Sequence, residues 1–217
     1  MLEDGLSYPF RGDWVGRIII GGVLAFFSFL IFPAIFLSGY LYDVLQATIE
    51  GEDSPPDFEN WGTMFVHGIG VTVIGIAYSI VPVGLYFIVV TIFLGAGGAV
   101  GGEAGGILAG LGIVATILLI PVLLFVYYII PAAIANYAHK EELKAGFDVS
   151  TIKTVVLSTD YLVAILFPIV IAIVLWIASI ILAITIIGLL FFPFLQFYGE
   201  VAIFRMFGSA FKNVQVG

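Results

Sequence analysis

Long apolar runs decide most of what this chain can become. They are Val15 to Leu41, Met64 to Leu94, Ile107 to Ala135 and Tyr161 to Phe204. A helix rises about 1.5 Å per residue and the hydrocarbon core of a bilayer is roughly 30 Å thick, so about 20 apolar residues make one crossing. The last run is too long for a single crossing and predicts two helices with a tight turn near Thr185 to Gly188. Composition says the same. A soluble domain has roughly 45–50% apolar and about 25% charged residues, whereas this 217-residue chain has 62% and 10%. A globule of this size has too little interior to hide the excess, so lipid must act as a second apolar solvent. The expected fold is an all-α polytopic transmembrane helix bundle. It has five crossings or six membrane segments, in a single integral membrane domain over residues 1–217.

The connections differ in charge. Asp43 to Gly62 is acidic and has no Lys or Arg, Gly95 to Gly106 is almost all Gly and Ala, and Asn136 to Asp160 carries Lys140, Lys144 and Lys153. Short loops rich in Lys and Arg stay in the cytoplasm. With Arg205 and Lys212 near the end of the chain, this predicts a multi-pass cell-membrane protein with a cytoplasmic C-terminus. Arg11 and Arg17 join that side only if the first run is a broken or re-entrant hairpin turning near Pro33. One straight helix would put the N-terminus outside. The N-terminus lacks a basic region and a small-residue cleavage site, so no removable signal peptide is expected.

A weak internal repeat favours the hairpin. Phe32-Pro33, Ile130-Pro131 and Phe192-Pro193 each precede a Tyr by a few residues, at Tyr40, Tyr137 and Tyr198. Such periodicity points to repeated units, here three helical hairpins. Pro and Tyr at the ends of membrane helices are the competing explanation. Ser54-Pro55-Pro56-Asp57 reads as a turn and helix start, and Phe58, Trp61 and Phe65 recur on one helical face. Farther on, Gly146 is expected to end a helix and Asp148 or Ser150 to start another. Ile152, Val155 and Val156 would line the apolar face of that surface helix.

Gly39-Tyr40-Leu41, Gly51-Glu52, Pro55-Pro56, Phe58 and Trp61, taken together, resemble the signature of an uncharacterised family of archaeal multi-pass membrane proteins. In that family a Gly-Tyr-Leu leads through an amphipathic stretch to Gly-Glu, then Pro, Phe and Trp, and then the next span. The chain departs from it after the Gly-Tyr-Leu, with Tyr42 and Asp43 where the family tends to have Arg. The resemblance implies topology and source, and no activity. A high-salt setting also suits an acidic chain with net charge −8 and few Lys.

Candidate sites are sparse. Gly98, Gly102, Gly106 and Gly110 are spaced by four, as are Gly97, Gly101 and Gly105. On a helix these make two adjacent ridges that let a partner helix approach closely. They read either as a turn with close packing of neighbouring spans or as a subunit contact. Gln196 and Glu200 share one face of the last apolar segment. An ionisable residue at membrane depth is a functional hypothesis by default, set against a Glu at headgroup level near Arg205 and Lys212. The acidic run Asp43, Glu50, Glu52, Asp53, Asp57 and Glu59 lacks the spacing of a calcium loop and reads as a solvated surface. His67 and His139 have no metal-site companions.

The absence of Cys removes disulfides and thiolate chemistry. No phosphate-binding or nucleophile-elbow motif occurs, and the acidic balance excludes a nucleic-acid binder. The expectation is therefore a non-enzymatic membrane component without a cofactor. It would bind lipid or a partner, as a homo-oligomer or an accessory subunit of a membrane complex. The alternative is a small transporter or channel using Glu200.

Overall fold

In the computed structural model, which describes residues 2–183 and 185–216, every regular element is helical. In chain order the helices are α1 (Leu2–Ser7), α2 (Trp14–Phe26), α3 (Ile31–Glu50), α4 (Trp61–Val89), α5 (Ala96–Val100), α6 (Gly102–Lys140), α7 (Val149–Val156), α8 (Thr159–Ala183) and α9 (Ile186–Val216). Short 3-10 turns cover Tyr8–Phe10 and Leu143–Phe147, and a π segment, Val90–Gly95, joins α4 to α5. Among the described residues, four stretches are long and apolar enough to cross a membrane: Trp61–Val100, Gly102–Lys140, Thr159–Leu182 and Leu190–Gln215. Helices satisfy their own backbone, which lipid cannot do for them. The fold is an all-α membrane bundle. Contacts divide it into two units, residues 1–73 with 131–217, and residues 74–130.

In the first unit, the first apolar run is a hairpin. Its outgoing leg, α2, has 13 residues, about 20 Å of helix, which is short of a roughly 30 Å hydrocarbon core. The turn lies at Phe27 to Leu30, slightly ahead of Pro33. That proline sits in the first turn of α3, where its missing N–H costs nothing. Donors at the turn are bound locally: Phe27 N–H to the Val23 carbonyl at 3.1 Å, Ser28 N–H to Ala25 at 3.2 Å and Leu30 N–H to Phe27 at 2.9 Å. The tip is apolar, with Phe29 and Ile31 about three-quarters exposed, as suits a turn facing hydrocarbon. Both legs pack on α9. Gly21 lies under Phe197 and Gly22 under Phe194, so α2 runs antiparallel to α9. Tyr40 meets Phe197 at 5.4 Å between ring centroids and Thr48 meets Gly208, so α3 runs parallel to it.

The core of this unit joins Tyr8, Tyr40, Val44, Met64, Phe197 and Val201. Where α3 crosses α4, a Cβ on Gly39 would overlap the Met64 carbonyl and one on Gly68 would overlap the Ile35 carbonyl. Only glycine permits that backbone approach. Helices α8 and α9 form a second hairpin that turns at Thr185, within the predicted stretch. Thr185 N–H bonds the Leu182 carbonyl at 3.1 Å, and its hydroxyl accepts from Gly188 N–H at 2.9 Å. Prolines do not break these helices: α4, α8 and α9 continue through Pro82, Pro168 and Pro193.

Two predicted helix ends are corrected. Ser54 to Asp57 is a turn without a helix start, because α4 begins only at Trp61 and leaves Phe58 ahead of it. Helix α6 stops at Lys140, with Glu141 in the left-handed region at φ 55°. Gly146 falls instead in the 3-10 turn. A left-handed terminator is usually Gly but need not be, and the sequence signal pointed to the wrong residue. Asp148 then caps α7, accepting from the Ser150 hydroxyl at 2.8 Å, the Thr151 hydroxyl at 2.8 Å and Lys140 Nζ at 3.2 Å. Those bonds, in that order, hold its carboxyl far below the usual range. Ile152, Val155 and Val156 are buried, as the apolar face predicted.

The second unit, residues 74–130, carries one charged residue, Glu103. The Gly95 to Gly106 connection is helical on both sides and opens only at Gly101 and Gly102, with φ 67° and 60°. This corrects the picture of two continuous ridges, because that left-handed conformation interrupts the helix. One row packs inside the unit: a Cβ on Gly105 would overlap the Gly97 carbonyl. In the other row, Gly98, Gly102, Gly106 and Gly110 each have open space where a Cβ would stand.

Candidate functional site: a clamped acidic segment

The polar groups of the first unit converge on the segment that follows α3. Gly51 closes the helix at φ 95°, a conformation natural to glycine, with its N–H on the Ala47 carbonyl at 3.0 Å. A Cβ there would crowd Lys212 Nζ at 2.6 Å, which places that ammonium at the negative end of α3. The next five carbonyls are each bound by a different side chain. Arg205 Nη1 donates to Glu52 at 2.9 Å, Arg11 Nη1 to Asp53 at 3.1 Å, and the Tyr8 hydroxyl to Ser54 at 3.0 Å. Arg17 Nη1 donates to Pro55 at 2.5 Å and the Tyr40 hydroxyl to Pro56 at 3.0 Å. The donors come from α9, the N-terminal 3-10 turn and the residue after it, α2 and α3.

The clamp is tied together behind the segment. Asp4 accepts from Arg11 at 2.6 Å and from Arg205 at 2.9 Å. Burial would raise the Asp4 carboxyl, but these hydrogen bonds and the attraction of both guanidinium groups outweigh it and hold the group below its usual range. Arg205 also lies 4.3 Å from the centroid of the Tyr8 ring, a cation–π distance. Burial pushes the Tyr8 phenol up, so it stays a neutral donor. Arg17 is 4% exposed; it also donates to the Arg11 carbonyl at 2.7 Å and stands 3.6 Å from Asp57.

With its backbone held, the segment turns its acids outward. Glu52, Asp53, Asp57 and Glu59 are exposed. A cleft of about 350 Å³ beside them is lined by Asp43, Glu50, Glu52, Asp57 and Glu59, with Met64 at its base and no Lys or Arg. Next to the cleft, Asp43 pairs with His67 at 2.7 Å and the Tyr42 ring lies tilted over the imidazole at 4.1 Å between centroids. The acidic run is thus mostly exposed, with its backbone held and Asp43 partly buried against His67. Among the described residues, no group of three or more His, Asp or Glu is placed to hold a metal ion.

All seven Lys and Arg lie in the first unit. Gln46 near the end of α3 donates to Glu141 at 2.8 Å, which brings the Lys140 to Lys153 segment to the same polar end as the clamp. His139 lies 5.6 Å from the Phe211 ring there. Gln196 donates to Glu200 Oε1 at 3.0 Å, while Glu200 Oε2 is buried without a hydrogen-bond partner among the described residues.

Sequence reasoning did not find the clamp. In the sequence Arg11 and Arg17 mark topology, Arg205 marks topology and the surroundings of Glu200, and Tyr8 gives no signal. Nothing local announces a side chain that will bind a carbonyl 38 or 153 residues away. The Asp43–His67 pair, 24 residues apart, is silent in the sequence for the same reason.

The geometry gives several residues between Gly39 and Trp61 a structural part. Gly39 admits α4 and Tyr40 binds Pro56 and stacks on Phe58 at 4.1 Å. Gly51 ends α3, and Phe58 stacks on Trp61 at 5.7 Å. These residues build the clamped segment. No curated protein and no solved structure matches the chain. Residues 26–184, well over half of its length, match a family described as proteins of unknown function, DUF4013. The chain therefore belongs to the DUF4013 family.

Proposed function

We propose that this protein is a non-enzymatic membrane component that docks a partner, or a second copy of itself, within a membrane complex, and binds lipid along its spans. The carrying observation is the clamp: five successive carbonyls held by five side chains, with carboxylates facing out. A backbone ordered in advance loses little entropy on binding. A one-signed surface steers and selects an oppositely charged partner, so the partner surface is basic.

The test is the particle extracted gently from the native membrane. Asp53→Lys with Glu59→Lys, both exposed, changes stability by no more than about 0.5 kcal/mol and strips a bound partner from the particle. A particle whose protein composition is unchanged by the double variant defeats the docking idea. A wild-type particle holding only copies of this chain favours self-association, with Gly98, Gly102, Gly106 and Gly110 as the contact. There Gly106→Leu is the clean probe, since Gly102 has a positive φ that any side chain would strain.

The polar end faces the cytoplasm in this reading, because it gathers every Lys and Arg, and the setting is an archaeal membrane. The cysteine-free chain makes orientation simple to check. Cysteines placed at Glu59 and Ser150 should be labelled only from the cytoplasmic side and one at Ala104 only from outside, and the reverse pattern would refute the assignment.

A second reading, a small transporter or channel, is favoured by the buried oxygen of Glu200 that has no hydrogen-bond partner among the described residues. An intramembrane carboxylate of that kind suits proton or cation coupling. Flux through reconstituted protein should then fall at least about tenfold in Glu200→Gln, a change of about 1.4 kcal/mol in the coupled step. Flux that persists undiminished removes Glu200 from the mechanism.

A further inference from the structure

Helices α2 and α8 both pack on α9, and between them they leave a groove that protein does not fill. It has a volume of about 600 Å³. Its floor is Phe191, Phe194, Leu195 and Tyr198 of α9, with Ile18 on the α2 side and Leu182 on the α8 side. The floor and the α8 wall belong to two of the stretches apolar enough to cross a membrane. The groove therefore opens at hydrocarbon depth. It is continuous with the exposed apolar surface of α8 and α9, where Ile180, Ile181, Leu190 and Phe191 are half-exposed or more.

Interiors are packed close to the density of organic crystals, and an apolar gap of this size offers water no partners. In a bilayer the medium at hand is the hydrocarbon chain. One end of the groove is marked by aromatic side chains: Phe10 meets Tyr198 at 5.0 Å and Trp14 at 5.3 Å, and Trp14 is exposed. Tyr and Trp concentrate at headgroup depth. Arg11 follows Phe10 in sequence and stands at that same end, partly exposed. The other end, at Leu182 and Phe191, is wholly apolar.

We infer that this groove is a lipid-chain site. One hydrocarbon chain of a membrane phospholipid lies along α9 between α2 and α8, with its headgroup at the Phe10–Trp14–Tyr198 end. The inference rests on the membrane-component reading and extends it to one bound lipid. The groove and the acidic face are separate surfaces, so their failures can be told apart.

The experiment uses the full chain, delipidated in detergent, mixed with dioleoyl phosphatidylglycerol and examined by native mass spectrometry as detergent is stripped. Wild type should retain one lipid per chain. Ile18→Trp and Leu195→Trp each fill part of the groove and should weaken retention about tenfold, the loss expected when some two methylene positions are displaced. Val174→Trp, on the exposed surface of α8 away from the groove, should retain lipid as wild type does. Unfolding temperature checks that each variant is folded, and two independent groove variants guard against one that is not. Equal retention in wild type and both groove variants, equal loss in Val174→Trp, or no retained lipid in wild type would each overturn the site. Loss of lipid with an unchanged protein composition in the native particle would leave the docking reading standing.

Discussion

Arg17→Met should be the most damaging single substitution at the polar end, costing about 2–5 kcal/mol. The guanidinium serves two carbonyls, Pro55 at 2.5 Å and Arg11 at 2.7 Å, from a side chain only 3% exposed. Methionine keeps much of the volume and removes both donors. A buried carbonyl left without a partner costs about 1–3 kcal/mol; Pro55 loses its donor in a buried setting and Arg11 in a partly buried one, where the cost is smaller. The Asp57 contact adds little, because that carboxylate is 63% exposed and water replaces its partner. The effect should be local as well as global. The 51–57 segment should become the first site of proteolysis and lose protection in hydrogen exchange, while the α8–α9 hairpin keeps its own. Unfolding of the purified protein in mild detergent measures the first quantity and exchange the second. A loss below about 1 kcal/mol with an unchanged segment would mean that the other four donors hold the loop without Arg17.

The crossing of α3 and α4 should be nearly as sensitive. Gly39→Ala and Gly68→Ala each drive a methyl group into a carbonyl of the facing helix, Met64 and Ile35 respectively. Backbone cannot rotate aside as a side chain does, so the helices must separate. Overpacking of this kind costs about 1–3 kcal/mol. Both substitutions are relieved by the same movement, so the double variant should cost less than the sum of the singles. Gly62→Ala supplies the contrast: nothing lies within 4 Å of a Cβ there, and better helix propensity should make the change neutral or stabilising by up to about 1 kcal/mol. A strictly additive pair, or a Gly62 variant as damaged as the others, would show that helix separation is not the cause. The same measurements ask whether Gly39 serves to bring α3, α4 and the clamped segment together.

Hydrophobic run length, read from sequence, located the membrane helices because the bilayer imposes its own thickness on any chain that enters it. The α8–α9 turn at Thr185 and the buried face of α7 followed from the same local rules. Local rules were weaker where a residue serves more than one role. Glycine reads as a loop, yet most of Gly95 to Gly106 is helical, since small residues also suit close helix packing in apolar surroundings. The end of α6 at Glu141 was hidden because a left-handed residue need not be Gly. The charge count raised the choice between a hairpin and a straight first span, and the structure decided it. Arg17 and Tyr40, on opposite legs, bind neighbouring carbonyls, Pro55 and Pro56, so both legs must return to one end. By itself, then, the sequence determined the solvent, the helical class and the rough places of the spans, because each depends on neighbours along the chain. Only the tertiary structure decided that Arg11, Arg17, Arg205, Tyr8 and Tyr40 meet on five consecutive carbonyls. Those bonds join residues as far as 153 positions apart, and no periodicity in the chain encodes a contact at that distance.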